Sequence, residues 1–163
     1  MTAHRIFVSL LGFLALAACA STAVTQQENE SAAAAPQGDT IMQLSPRDLN
    51  PGECALFLFT RDTPRRFVLF SRAASNQASI MLENEEVTLP LTAAGGDILG
   101  QFLTRQTFSN GSETINLTLT PGDVIEDGQR IPVASLTRSM PDGWDVITPL
   151  QGVRACQPEK SAN

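Results

Sequence analysis

The stretch QFLTRQTFSNGSETINLTLT, running from Gln101 to Thr120, decides the fold class. Two runs of strand-forming residues, Gln101 to Phe108 and Glu113 to Thr120, flank Ser109-Asn110-Gly111-Ser112. Asn-Gly is the strongest short hairpin signal, because both residues tolerate the positive φ that a tight reversal needs. In the second run Ile115, Leu117 and Leu119 alternate with Asn116, Thr118 and Thr120. A period of two gives a strand one buried and one wet face, as antiparallel sheets commonly have.

The same grammar extends outward in both directions. Upstream, Cys54 to Thr60 reads as a first strand, Asp62-Thr63-Pro64 as a turn and Phe67 to Ser71 as the returning strand. Ala78 to Leu82 and Val87 to Leu91 flank a polar tip, Glu83-Asn84-Glu85-Glu86, and Gly95-Gly96-Asp97 is expected to break the chain. Downstream, Asp127-Gly128 is a second tight-turn signal before Arg130 to Leu136, where Ile131, Val133 and Leu136 are expected to face inward. Pro141-Asp142-Gly143 marks the last reversal, after which Trp144, Val146 and Ile147 lead to Val153 and Cys156. No amphipathic helix interrupts this order. An all-β fold follows: a single small antiparallel β-barrel or sandwich of about eight strands, the barrel being favoured of the two.

The N-terminus has a different composition. His4 and Arg5 precede an apolar run from Ile6 to Ala18, broken by Ser9 and Gly12. Positive residues, an apolar core and small residues at its end are the layout of a signal peptide. The run is about 13 residues, short of the roughly 20 that span a bilayer as a helix. Leu16-Ala17-Ala18-Cys19 resembles the lipobox of bacterial lipoproteins. That resemblance implies removal of residues 1–18 and lipidation of Cys19. The expected location is then the bacterial cell envelope, lipid-anchored and facing the periplasm. Ala20 rather than Asp follows Cys19, which favours the outer membrane by analogy. Several acyl chains on one residue exceed the two-signal requirement for stable anchoring. From Cys19 to residue 47 the chain is rich in Ala, Ser, Thr, Gln and Glu and poor in large apolar residues, and it reads as a flexible tether spanning roughly 30 Å on average. The folded domain is expected from Asp48 to Pro158, with a short tail, 159–163, beyond it.

With Cys19 assigned to lipid, Cys54 and Cys156 remain, in a chain expected in an oxidising compartment. Their expected disulfide would join the first strand to the last. The chain has 17 acidic and 11 basic residues, a net charge of −6, which argues against nucleic acid as a partner. Its single histidine, His4, lies in the signal segment. A histidine-based metal site or Ser-His-Asp triad is therefore not available after processing, no Cys-x-x-Cys pair or phosphate loop is present, and no cofactor is expected. Glu83, Glu85 and Glu86 read as a solvated hairpin tip rather than a glycosidase pair. The chain is expected to be a non-enzyme.

Arg61, Arg65, Arg66 and Arg72 cluster around the first hairpin, where guanidinium groups suit carboxylate or phosphate contact. The order of elements from Cys54 to Cys156-Gln157 also resembles the membrane-bound inhibitors of c-type lysozyme, small periplasmic lipoproteins folded as eight-stranded barrels. The resemblance rests on Cys54 opening the first strand, Ala78-Ser79-Ile80-Met81-Leu82, Ala94-Gly95, Phe102, the Ser109-Asn110-Gly111 turn and the closing Cys156-Gln157. It implies an eight-stranded barrel and places partner contacts at Ala94, Gly95, Asn110 and Gly111. That family shows Ser-Gly and Lys-Gly at these two places, and this chain has neither the Ser nor the Lys. The expected function is thus a non-catalytic domain that binds an envelope protein, through residues among Arg61, Arg65, Arg66, Ala94, Gly95, Asn110 and Gly111. Inhibition of c-type lysozyme is the alternative, and carriage of an apolar ligand inside the barrel a third.

Overall fold

The computed structural model describes residues 42–159. The expected signal peptide, Cys19 and most of the tether lie outside the described residues. Nine strands follow one another: β1 Cys54–Thr60, β2 Phe67–Arg72, β3 Gln77–Leu82, β4 Glu85–Leu99, β5 Phe102–Ser109, β6 Thr114–Thr120, β7 Val124–Ile125, β8 Gly128–Ser139 and β9 Asp145–Cys156. They lie in the order β6-β5-β4-β3-β2-β1-β9-β8-β7, and β6 also pairs with β8. Eight antiparallel strands therefore close into a barrel, with the two-residue β7 added to β8. Of the two architectures left open by the residues, the barrel is the one formed.

The deciding hairpin folds as its pattern dictates. Ile115, Leu117 and Leu119 are buried and Asn116, Thr118 and Thr120 exposed. Gly111 takes φ 95° in the turn, and the Asn110 Oδ1 accepts hydrogen bonds from the backbone N–H groups of Ser112 and Glu113. Leu56, Leu58, Leu69, Ile80, Leu89, Leu99, Phe108, Ile115, Leu117, Ile131 and Leu150, each almost wholly buried, meet in one interior cluster. The expected disulfide is formed: Cys54 and Cys156 face each other across the β1–β9 ladder and are bonded. It closes a loop of 102 residues, worth about 4–5 kcal/mol in the chain-entropy account.

Three local expectations are corrected. Gly95-Gly96-Asp97 does not end the strand. β4 runs through it to Leu99 by means of a bulge, in which Gly96 has φ 83° and the Thr104 hydroxyl accepts the Asp97 N–H. The bulge sets one extra residue of β4 against β5 and bends the wall, which a flat strand would not allow. At the β3–β4 hairpin the turn is Glu83-Asn84 alone, both with positive φ, while Glu85 and Glu86 belong to β4. Val133 is 46% exposed, because the β8–β9 register shifts between Ile131 and Ala134 and hands the inward position to Ala134.

The packed domain also begins upstream of Asp48. Alternation along β1 sends Leu56 and Leu58 inward and Ala55, Phe57 and Phe59 outward. Phe57 and Phe59 stack with Phe67 and Phe70 of β2 at ring separations of 5.1 to 5.9 Å. An aromatic patch of that size on the outer wall must be covered. Leu44, 1% exposed, and Leu49 cover it, and the Leu44 N–H donates to the Phe67 carbonyl.

Candidate binding surface

The four arginines of the first hairpin have different surroundings. Arg66 pairs with Asp62 at 2.9 Å within the β1–β2 loop, and its backbone N–H donates to the Thr60 hydroxyl. Hydrogen bonding from Thr60, then the Arg66 charge, holds the Asp62 carboxyl below its ordinary value. Arg72 lies over the Phe70 ring at 5.1 Å, 3.4 Å from Glu53, and donates to the Asp48 carbonyl. These two fasten the loop and the covering segment. Arg61 and Arg65 are exposed and line a groove of about 720 Å³ together with Arg130 of β8. Its remaining lining is Phe59, Ile131, Pro132, Gln151, Gly152 and Val153.

The other expected contact residues do not form one site with these. Ala94 and Gly95 line a separate groove of about 280 Å³ over β4, β5 and β6. Asn110 and Gly111 form the β5–β6 turn just past the end of β5, four and five residues on from Gln106, the register partner of Ala94. The structure therefore divides the expected site residues between two grooves and a turn. Arg130 was not among them. Its signal is its place beside Ile131 in an alternating strand, which directs it to the outer wall next to the first hairpin only once β8 and β1 are both known to flank β9.

A further surface has no local signal. β1 accompanies β9 from Cys156 down to Leu150, where Thr60 ends the ladder. From Pro149 to Asp145, β9 pairs with β8 alone. Among the described residues these five positions form a free sheet edge. β4 is also singly paired over much of its length, its first half with β3 and its second with β5, but the edge of β9 is the one flanked by exposed Trp144, Val146 and Ile147. Trp144, Val146 and Ile147 lie on or beside it, 75%, 49% and 63% exposed. The hairpin tip is held in place: the Met140 N–H donates to the Trp144 carbonyl, and the Asp142 carboxylate accepts the Trp144 N–H. Next to the edge, Met42, Val68, Met81, Leu82, Leu136 and Thr148 help to line a slot of about 260 Å³.

Arg138 of β8 braces this end of the barrel. It donates to both carboxylate oxygens of Glu113 at 2.8 Å and to Glu83 at 2.6 Å, joining the β5–β6 and β3–β4 turns. These bonds raise the guanidinium's pKa above its ordinary value, and the Arg138 hydrogen bonds lower that of the Glu113 carboxyl. Among the described residues no group of His, Cys, Asp and Glu side chains has the arrangement of a metal site. Comparison with known protein families, with curated proteins and with solved structures finds no match to this chain.

Proposed function

We propose that the chain is a lipid-anchored, non-catalytic binding protein of the bacterial cell envelope, which docks a protein partner by strand addition to β9. The observation that carries this reading is the free edge Asp145–Pro149 with Trp144, Val146 and Ile147 exposed along it. Unpaired strand edges offer backbone donors and acceptors to an incoming extended segment, and natural proteins usually blunt them with charge, proline or a covering element. Here Asp145 and Pro149 stand at the two limits, and Val146, Ile147 and Thr148 occupy the middle. The interior is filled by the barrel's own leucines, isoleucines and Phe108, which favours the outer surface over a ligand cavity as the working part.

Membrane attachment rests on the Cys19 motif. The decisive experiment places a photocrosslinking residue at Ile147 in intact cells, with Val124, more exposed still, as the comparison site. A discrete adduct at Ile147 that persists in high salt, and none at Val124, is the expected result. Equal labelling at both sites, or none, overturns strand addition as the docking mode. Replacement of Cys19 by Ser is expected to release the protein from the membrane fraction. Recovery of that variant with the membrane overturns the lipid anchor. For the lysozyme alternative, full activity of a c-type lysozyme in the presence of micromolar soluble protein is the result that removes it.

A further inference from the structure

We propose that the groove between the β1–β2 loop and β8 binds a phosphorylated ligand, with its phosphoryl oxygens held by Arg61, Arg65 and Arg130. The site lies over the doubly paired half of β9 and does not depend on strand addition at the other half. Its nine lining residues supply three guanidinium groups and one amide, that of Gln151, and no carboxylate. This is unexpected in a chain with 17 acidic residues against 11 basic ones. Arg47, Arg66, Arg72 and Arg138 each lie within 4.0 Å of a carboxylate; of the five arginines that make no such pair among the described residues, Arg61, Arg65 and Arg130 line this one groove, and Arg105 and Arg154 lie elsewhere. Three like charges brought together from two distant segments repel one another, and a bound anion reverses the sign of that interaction.

Charge and shape narrow the ligand. A single carboxylate would neutralise one cation of three. A phosphomonoester carries roughly 1.5 to 2 negative charges near neutral pH, and a diphosphate more, so a phosphorylated group answers most of the local charge. The guanidinium fork also matches phosphate oxygens two at a time. Between the arginines the floor is apolar, made of Phe59, Pro132 and Val153, with Gly152 contributing no side chain. Gly152 faces Leu58 across the ladder and lets β1 and β9 approach closely behind the groove, since a Cβ would lie 2.0 Å from the Phe57 carbonyl oxygen. A body with an apolar face, such as the C–H face of a sugar ring, fits over that floor. The volume lies within the roughly 300–1,000 Å³ typical of small-ligand sites. The net charge of −6 disfavours broad contact with an anionic surface, so recognition is of a discrete group. That phosphoryl group belongs either to a soluble sugar phosphate or to a lipid headgroup.

Calorimetric titration of the full chain carrying Cys19→Ser distinguishes the sources. The probes are glucose 1-phosphate, inorganic pyrophosphate, citrate as a polycarboxylate, and phosphatidylcholine vesicles with and without phosphatidic acid. Saturable binding of glucose 1-phosphate supports the site and assigns it to a soluble ligand. Binding of phosphatidic acid vesicles alone supports the site and assigns it to a lipid headgroup. In either case Arg61→Ala and Arg130→Ala, at exposed positions and so expected to fold, should each weaken binding by roughly tenfold or more, while Thr88→Ala leaves it unchanged. The proposal is overturned if no phosphate probe binds, if citrate binds as tightly as the phosphates, or if both arginine variants bind undiminished.

Discussion

The two halves of β9 obey the same alternation and meet opposite fates. Leu150, with β1 on one side and β8 on the other, is fully buried, while Val146, of the same parity four residues earlier, is half exposed. Nothing in the residue types produces this difference. It arises because β1 turns away after Thr60, so the wall that encloses Leu150 is missing beside Val146. Exposure along a barrel strand is thus set by the length of its neighbours. The half that is doubly paired carries the covalent tie and the close backbone approach at Gly152, and the half that is singly paired carries Trp144 and Ile147 at its margin.

If the doubly paired half is where the barrel is closed, removing its tie should have the largest effect on stability. Replacing Cys54 and Cys156 together by Ala is expected to cost about 4–5 kcal/mol, read as a lowered urea midpoint. A cost below about 1 kcal/mol would show that the β1–β9 ladder closes equally well without the bond. Next in size is Gly152→Ala. Its Cβ would sit against the Phe57 carbonyl and the Leu58 backbone, neither of which is a flexible side-chain end. Overpacking of this kind is expected to cost about 1–3 kcal/mol. Pro149→Ala, in the open half, should change stability by no more than about 0.5 kcal/mol. Equal effects at the two positions would erase the distinction between the halves.

How far the sequence foretold this depends on the range of the cause. Asn110-Gly111 and the Ile115-Leu117-Leu119 alternation are local, and the β5–β6 hairpin was legible from them. The disulfide was legible through the count of cysteines, once Cys19 was assigned to lipid. The bulges at Gly96 and at Pro132-Val133 were not, because a glycine pair reads equally as a break or as a bend, and Pro132 marks an irregular position in β8 without fixing which neighbour turns inward. Leu44 looked like part of a polar tether, since the aromatic patch it covers is assembled from two strands. Of the binding surface, Arg61 and Arg65 were visible as a cluster, and Arg66 in the same cluster proved to be engaged by Asp62. Arg130 and the free edge required knowing which strands flank β9 and where β1 ends, both of them non-local facts.

The brace at the open half should show itself in acid. Glu113, hydrogen-bonded by Arg138, has a carboxyl pKa below its ordinary value in the folded protein. A carboxylate so depressed stabilises the fold at pH above its unfolded value, about 4.3, and that contribution is lost as the pH falls through the folded value. Unfolding free energy measured from about pH 6 down to pH 3 should therefore fall, with Glu113 supplying at most about 1 kcal/mol of the change because the pair is partly solvated. In Glu113→Gln that share of the acid dependence should disappear. An unchanged profile in the variant would mean that the brace contributes nothing to folding.

The smallest expected effect on stability is the most informative about function. Ile147→Asp places a charge in the middle of the free edge, at a position already 63% exposed and paired only with Thr137 of β8. Surface substitutions of this kind usually change stability by no more than about 0.5 kcal/mol, so the urea midpoint should be close to that of the parent chain. Leu150→Asp, three residues further along and enclosed on both sides, would bury an unpaired carboxylate and is expected to unfold the domain. A charge at Ile147 should nevertheless abolish any adduct formed by a photocrosslinker at the neighbouring Val146, because an incoming strand would have to cover that carboxylate. Loss of the adduct with stability retained separates a docking edge from a structural one. Retention of the adduct would mean that the partner contacts the hairpin without pairing to β9, and a marked loss of stability would mean that Ile147 is packed within the fold rather than free at its edge.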